Sequence, residues 1–264
     1  MMKLPFLPKK PTVSTVRLSG MISASGRGSL NDRAIGPVLD RAFKKGKPSA
    51  VALLINSLGG SPVQSSLIGA RIRRLANETK VPVYAFVEDV AASGGYWIAV
   101  AADEIYADAT SIVGSVGVIS AGFGFQDFIT RHGVERRVHT AGKSKSTLDP
   151  FQPQRPEDVE RLKRILNEMH GAFQDHITAR RGARLVQDQD LFTGEFWTGQ
   201  SAVDLGLIDG LGHMDDVLRK RFGEKLRYRH YGVKKSLGQR IGMAVADDVT
   251  TYVQERAAFA QFGL

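Results

Sequence analysis

The stretch "VPVYAFVEDVAASGGYWIAVAADEIYAD", residues 81–108, sets the architecture. Its first eight residues are β-rich and mostly apolar, the pattern of a buried strand. Ser93 and two glycines interrupt the run, a helical apolar pattern follows, and "EIYAD" at 104–108 returns to a short strand. Strand, turn, helix and strand in that order form the crossover unit of a mainly parallel sheet. Ser93 itself admits two readings, an N-cap for the helix or a nucleophile, and spacing does not choose between them. The pattern is not the G-x-S-x-G elbow, because Ala91 occupies the first glycine position.

The same alternation extends outward. "TVSTVRLSGMI" (12–22) reads as a strand, "NDRAIGPVLDRAFKKG" (31–46) as a helix opened by an Asn or Asp cap, and "SAVALLIN" (49–56) as a buried strand. After "SLGGSP", Val63–Thr79 has helical spacing through Leu67, Ile68, Ile72 and Leu75. Downstream, "GFGFQDFITRHG" predicts a short helix and "VERRVHTAG" (134–142) a further strand. Pro156 opens a long helix on which Val159, Leu162, Ile165, Met169, Phe173 and Ile177 form one apolar stripe, a pattern expected of core packing. Residues 192–223 suggest two short helices separated by glycine-rich turns, and the chain from Ser236 suggests an amphipathic helix and a tail. The expected organisation is an N-terminal extension over 1–11, a main domain over 12–223, and a C-terminal strand, helix and tail over 224–264.

Composition narrows the chemistry. The 264 residues include no cysteine, which excludes disulfides, thiolate metal sites and a cysteine nucleophile. The net charge of +9 is concentrated between Arg219 and Arg240, where nine cations face only Glu224. Such a segment attracts anionic lipid, although a solvated face or a subunit contact is the plainer reading; no nucleic-acid motif accompanies it. No apolar run approaches the roughly 20 residues that span a bilayer. The opening "MMKLPFLPKKP" is too short and too broken by Pro5 and Pro8 for a signal peptide. A cytoplasmic or peripherally membrane-associated protein is therefore expected.

Two glycine-bearing turns, "NSLGGSP" and "VAASGGYW", follow two successive buried strands. At the carboxyl ends of parallel strands they would lie side by side, and their exposed N–H groups would suit an oxyanion. A nucleophilic serine also needs a base. None of the six histidines sits in a motif aimed at Ser93, and His170 and His176, six residues apart on the long helix, are expected at the surface. A lysine serves if it is neutral. Its ordinary pKa of about 10.4 leaves roughly one in a thousand deprotonated near pH 7.4, and burial lowers that pKa by about 3–5 units.

Three ordered strings, "SGGYWIAVAADEIYADATSIVGSVGVIS", "TAGKSKSTLDPF" and "FWTGQSAVDLGLIDGLG", resemble the signal peptide peptidase A family of serine–lysine proteases, which includes protease IV and the SohB-type peptidases. The resemblance runs from about Val16 to Leu218. It implies an α/β fold of the Clp-protease and crotonase type, built of stacked β-β-α units, with a C-terminal helical region. It implies Ser93 as nucleophile and Lys145, three residues after Gly142, as general base, with Lys143 the local competitor. Ser115 would hold the lysine amine, and the N–H groups of Gly94 and Gly60 would form the oxyanion hole. Neither metal nor cofactor is implied. The resemblance also implies unfolded peptide substrates such as cleaved signal peptides. It implies a homo-oligomeric ring, octameric for short members, in which one subunit's serine meets its neighbour's lysine. Two departures stand out: Leu58 replaces the proline usual before the two glycines, and the membrane tether of many relatives is missing. The rivals are a crotonase-type acyl-CoA enzyme, which would not require both Ser93 and Lys145, and a catalytically inactive oligomeric scaffold.

Overall fold

The computed structural model, which describes residues 10–25, 29–142 and 144–233, divides into two units. The first comprises residues 1–116 and 176–264, the second residues 117–175. In the first unit β1 (Thr12–Ser19), α1 (Asp32–Lys44), β2 (Ala50–Ser57), α2 (Pro62–Thr79) and β3 (Val83–Ala92) succeed one another as expected. The three strands pair in parallel, with Val16 opposite Leu53 and Leu53 opposite Ala85. β2 and most of β3 are buried on both faces, which is why these two segments read as nearly continuous apolar runs, whereas β1 leaves Arg17 and Ser19 exposed. Asn31 caps α1 by accepting from Ala34 N at 2.9 Å, and Ser61 caps α2 with Pro62 in its first turn.

The sheet forks at β3. The first half of β3 pairs with β4 (Glu104–Ala107), which pairs with the short β7 (Gly210–Leu211). Its second half pairs with β5 (Ile112–Gly114), which is met antiparallel by β6 (Phe196–Thr198). β8 (Arg227–Tyr231) lies along the opposite edge, parallel to β1, so the strand expected after residue 224 joins the main sheet. All six pairings other than the antiparallel one are parallel and join strands through helices or long connections, the topology of the expected α/β class. One core cluster, Val13, Ala50, Ala52, Tyr84 and Phe86, packs beneath α7 (Met214–Phe222) through Leu218, with Leu226 beside it. α1 and α2 bury Ile35, Leu39 and Phe43, and Ile68, Ile72 and Leu75, respectively.

The second unit contains α4 (Gln126–Arg131) and most of α5 (Pro156–Arg181). Two expectations need correction here. Residues 134–142 form no strand, because alternation supplies faces but a strand also needs a partner for its N–H and C=O groups, and none pairs with it among the described residues. The α5 stripe is core only at its C-terminal end: Phe173 and Ile177 are buried, whereas Val159, Leu162 and Met169 are half-buried and Ile165 is 47% exposed. Phe173 is the only buried apolar side chain among the described residues of this unit, while Ile119, Phe123 and Phe128 are 85%, 82% and 61% exposed. In residues 192–223 the two helices, α6 (Gly199–Asp204) and α7, appear as expected. The helix expected from Ser236 lies outside the described residues. No helix among the described residues is long and apolar enough to cross a membrane.

Candidate active site

Ser93 ends β3 and precedes α3 (Gly94–Ala99). Its backbone has φ +50° and ψ −120°, a conformation that costs a non-glycine residue on the order of 1–3 kcal/mol and must be held by its surroundings. It is held from both sides. Ser93 N donates to Gly114 O at 2.8 Å in β5, and Ser93 O accepts from Trp97 N at 2.9 Å in α3. α3 is anchored by Tyr96, which is fully buried and donates its hydroxyl to Leu207 O at 2.7 Å. Ser93 stands at the N-cap position, yet its side chain makes no capping hydrogen bond. The hydroxyl is therefore not consumed by the local role that the sequence left open.

The glycine turn after β2 is pressed against this serine turn. A Cβ on Gly59 would lie 2.6 Å from Gly94 N, and one on Gly60 would lie 2.1 Å from Ile22 O. Both glycines also have positive φ, +97° and +134°, so no other residue fits without strain. Leu58 precedes the two glycines, and the turn is fixed by hydrogen bonds. Ile22 N donates to Gly59 O at 2.8 Å and Ile22 O accepts from Ser61 N at 2.7 Å. The buried Ser57 donates to Gly20 O at 2.7 Å and accepts from Gly59 N at 3.2 Å. The N–H groups of Gly60 and Gly94 find no acceptor among the described residues. Two N–H donors without acceptors thus adjoin the Ser93 turn, that of Gly94 directly and that of Gly60 through Gly59.

Ser115 adjoins this cluster through register, since Ala92 pairs with Gly114. It too has positive φ, +53°, and its N–H donates to Glu195 O at 2.6 Å. Ser93, Gly94, Gly60 and Ser115 thus come together in the first unit. Lys145 belongs to the second unit, where it is exposed in a turn closed by its own N–H on Gly142 O at 3.2 Å. Lys143 lies outside the described residues.

The lysine turn has an anchor that the sequence did not reveal. Asp158, in the first turn of α5 and 2% exposed, accepts from Arg155 Nε at 2.8 Å and Arg161 Nη1 at 2.9 Å. Thr147 reaches the same carboxylate at 3.5 Å, and the Leu148 N–H also donates to it. Burial raises the Asp158 pKa, but these hydrogen bonds and the arginine charges outweigh it, and the net direction is below the usual carboxylate range. The anchor is thus complete above the unfolded carboxylate pKa of about 3.9 and is lost only as pH falls through the depressed folded value. Asp158→Ala is expected to speed tryptic cleavage after Lys145 at neutral pH without lowering the main unfolding transition, a difference that timed digestion with mass spectrometry reads directly. The signal was present in "RPEDVER" as an acid in a first turn flanked by arginines, although its aim at the lysine turn was not.

His176 corrects another expectation. It is not a surface residue: its ring stacks on Trp97 at 4.5 Å, and its Nε2 lies 3.1 Å from Trp97 O. Helical spacing separated it from His170 but gave no sign that α3 would pack against α5.

The model of peptidase family S49 matches residues 75–225, a span that contains Ser93, Ser115 and Lys145. The chain belongs to peptidase family S49. The chloroplastic serine protease SPPA of Arabidopsis thaliana is 32% identical over 78% of this chain and 30% of its own length. The Haemophilus influenzae protein named "Probable protease SohB" is 29% identical over 89% of this chain and 65% of its own length. A Brucella abortus protein named as the Na(+)/H(+) antiporter NhaA is 47% identical over 96% of this chain but only 37% of its own length. The chain therefore spans less than two thirds of each of these relatives. S49 membership agrees with the resemblance carried by the serine, lysine-turn and C-terminal strings, and with the α/β fold.

Proposed function

We propose that this S49 chain is a serine endopeptidase in which Ser93 is the nucleophile and Lys145 the general base. The observation that carries the reading is the serine turn itself: a strained Ser93 whose side chain makes no capping hydrogen bond, packed against Gly59, with the N–H groups of Gly94 and of Gly60 next to Gly59 finding no acceptor among the described residues. Neutral Lys145 takes the Ser93 proton as Oγ attacks the peptide carbonyl carbon, and the carbonyl oxygen gathers negative charge against the two N–H groups. The C–N bond then breaks, and the lysine ammonium gives its proton to the leaving amine. Water, deprotonated by the same lysine, attacks the acyl ester and releases Ser93. Ser115 holds the lysine amine in reach of Oγ. No metal or nucleotide is needed for any step.

A ring of identical subunits, octameric on the family resemblance, completes the site with the neighbour's lysine. Two features support this reading. Lys145 is exposed in the single chain, whereas a neutral lysine needs a desolvated setting. The second unit leaves Phe123, Phe128 and Ile119 uncovered, the kind of apolar surface that marks an interface. The substrates that fit a closed ring are unfolded or extended peptides, among them cleaved signal peptides.

Incubation with a signal-peptide library and with a folded protein tests the reading: cleavage of the peptides alone supports it, and acyl-CoA turnover without peptide cleavage contradicts it. Contact with a membrane surface through the basic segment after Arg219 is part of the same proposal. Binding to anionic vesicles at low salt that weakens as salt rises would bear it out, and no binding at low salt would remove it.

A further inference from the structure

α3 is too short to be held by its own hydrogen bonds, and the end remote from Ser93 presents carbonyls that need partners. Those of Tyr96, Ile98 and Ala99 accept from the N–H groups of Val100, Ala101 and Ala102. The remaining four are taken by side chains of two longer helices. His176 Nε2 meets Trp97 O at 3.1 Å, Arg180 donates to Val100 O at 2.9 Å and Ala102 O at 2.6 Å, and Arg73 donates to Ala101 O at 3.0 Å. Arg73 also reaches Asp103 at 2.7 Å, whose other oxygen accepts from Val83 N at 2.9 Å. The cluster therefore ties the end of the helix that leaves Ser93 to the start of the strand that enters it. Burial keeps His176 below the ordinary imidazole range, so the neutral ring donates Nε2–H to the carbonyl while it stacks on Trp97.

We propose that Arg180, Arg73 and His176 are positioning residues that set where the Ser93 hydroxyl and the Gly94 N–H stand, acting through α3 from about 9 Å away. The proposal rests on the Ser93 reading. With Arg180 truncated, two partly buried carbonyls lose their donors, and the short helix gains freedom to shift along its axis. Misplacement of reacting groups on the order of 1 Å costs roughly 100-fold in rate. A residue that only stabilised the fold would leave the chemistry of the folded molecules unchanged.

The test measures the rate at which a fluorophosphonate phosphonylates Ser93, Oγ attacking phosphorus and fluoride leaving, with the adduct located by peptide mass spectrometry, together with kcat and KM on an unstructured peptide. It compares the full-length wild type with Arg180→Met, Arg180→Lys and His176→Phe. Arg180→Met should be labelled roughly 10–100-fold more slowly, with kcat falling in parallel and KM within about twofold. Arg180→Lys should recover part of the loss. His176→Phe, which keeps an aromatic ring on Trp97 and loses only the donor, should slow labelling several-fold. Labelling of folded Arg180→Met and His176→Phe at the wild-type rate overturns the proposal, as does a raised KM with unchanged kcat. If Arg180→Met does not fold, Arg180→Lys and His176→Phe decide by the same two readings. A folded wild type that is not labelled at Ser93 overturns the serine reading and the clamp with it, an outcome distinct from labelling at an unchanged rate.

Discussion

Ser93→Ala is expected to abolish peptide cleavage, by roughly four orders of magnitude or more, with no loss of folding stability. The size of the effect follows from the role, because removing the attacking oxygen removes the acyl-enzyme route entirely. The silence in stability follows from the structure. The Ser93 side chain makes no capping hydrogen bond, and the backbone bonds to Gly114 O and from Trp97 N survive the substitution. Alanine at φ +50° is no easier than serine, so the strain is unchanged. Turnover assays beside a thermal melt check both halves, and a melt lowered along with activity would mean that the hydroxyl is a structural cap after all.

Lys145→Met should cost about as much, since nucleophile and base act as a unit. Lys145→Arg should not rescue, because a guanidinium stays protonated at any working pH and cannot accept the serine proton. The exposed position of Lys145 makes a further result expected if the ring is correct. When Ser93→Ala and Lys145→Met chains are unfolded together and reassembled in equal amounts, a head-to-tail ring places an intact serine beside an intact neighbouring lysine at about a quarter of its sites. Activity near a quarter of wild type supports sharing between subunits. Two inactive parents that stay inactive when mixed, in rings shown by native mass to be mixed, would contradict it.

Much of this arrangement was legible in the chain. The buried strands announced themselves because both faces are covered, which removes the alternation that makes exposed strands ambiguous. The helices at 32–44 and 62–79 carried capping residues whose bonds are present. The two glycine turns pointed to the site because glycine alone tolerates the backbone found at residues 59 and 60. What escaped was set by tertiary packing. β5, β6 and β7 are two or three residues long, too short for any period, and exist because neighbouring strands offer them partners. The stripe on α5 predicted burial that only its last turns receive within the chain. His176 was expected at the surface, and Arg180 and Arg73 carried no signal, since the targets of all three are backbone carbonyls far away in sequence and leave no pattern in side-chain spacing.

The most direct test of the central claim is the intact mass of wild type, Ser93→Ala and Lys145→Met after exposure to a fluorophosphonate. One adduct per wild-type chain and none on either variant is the expected result. An adduct that persists on Ser93→Ala, or a folded and assembled wild type that takes none, would contradict it.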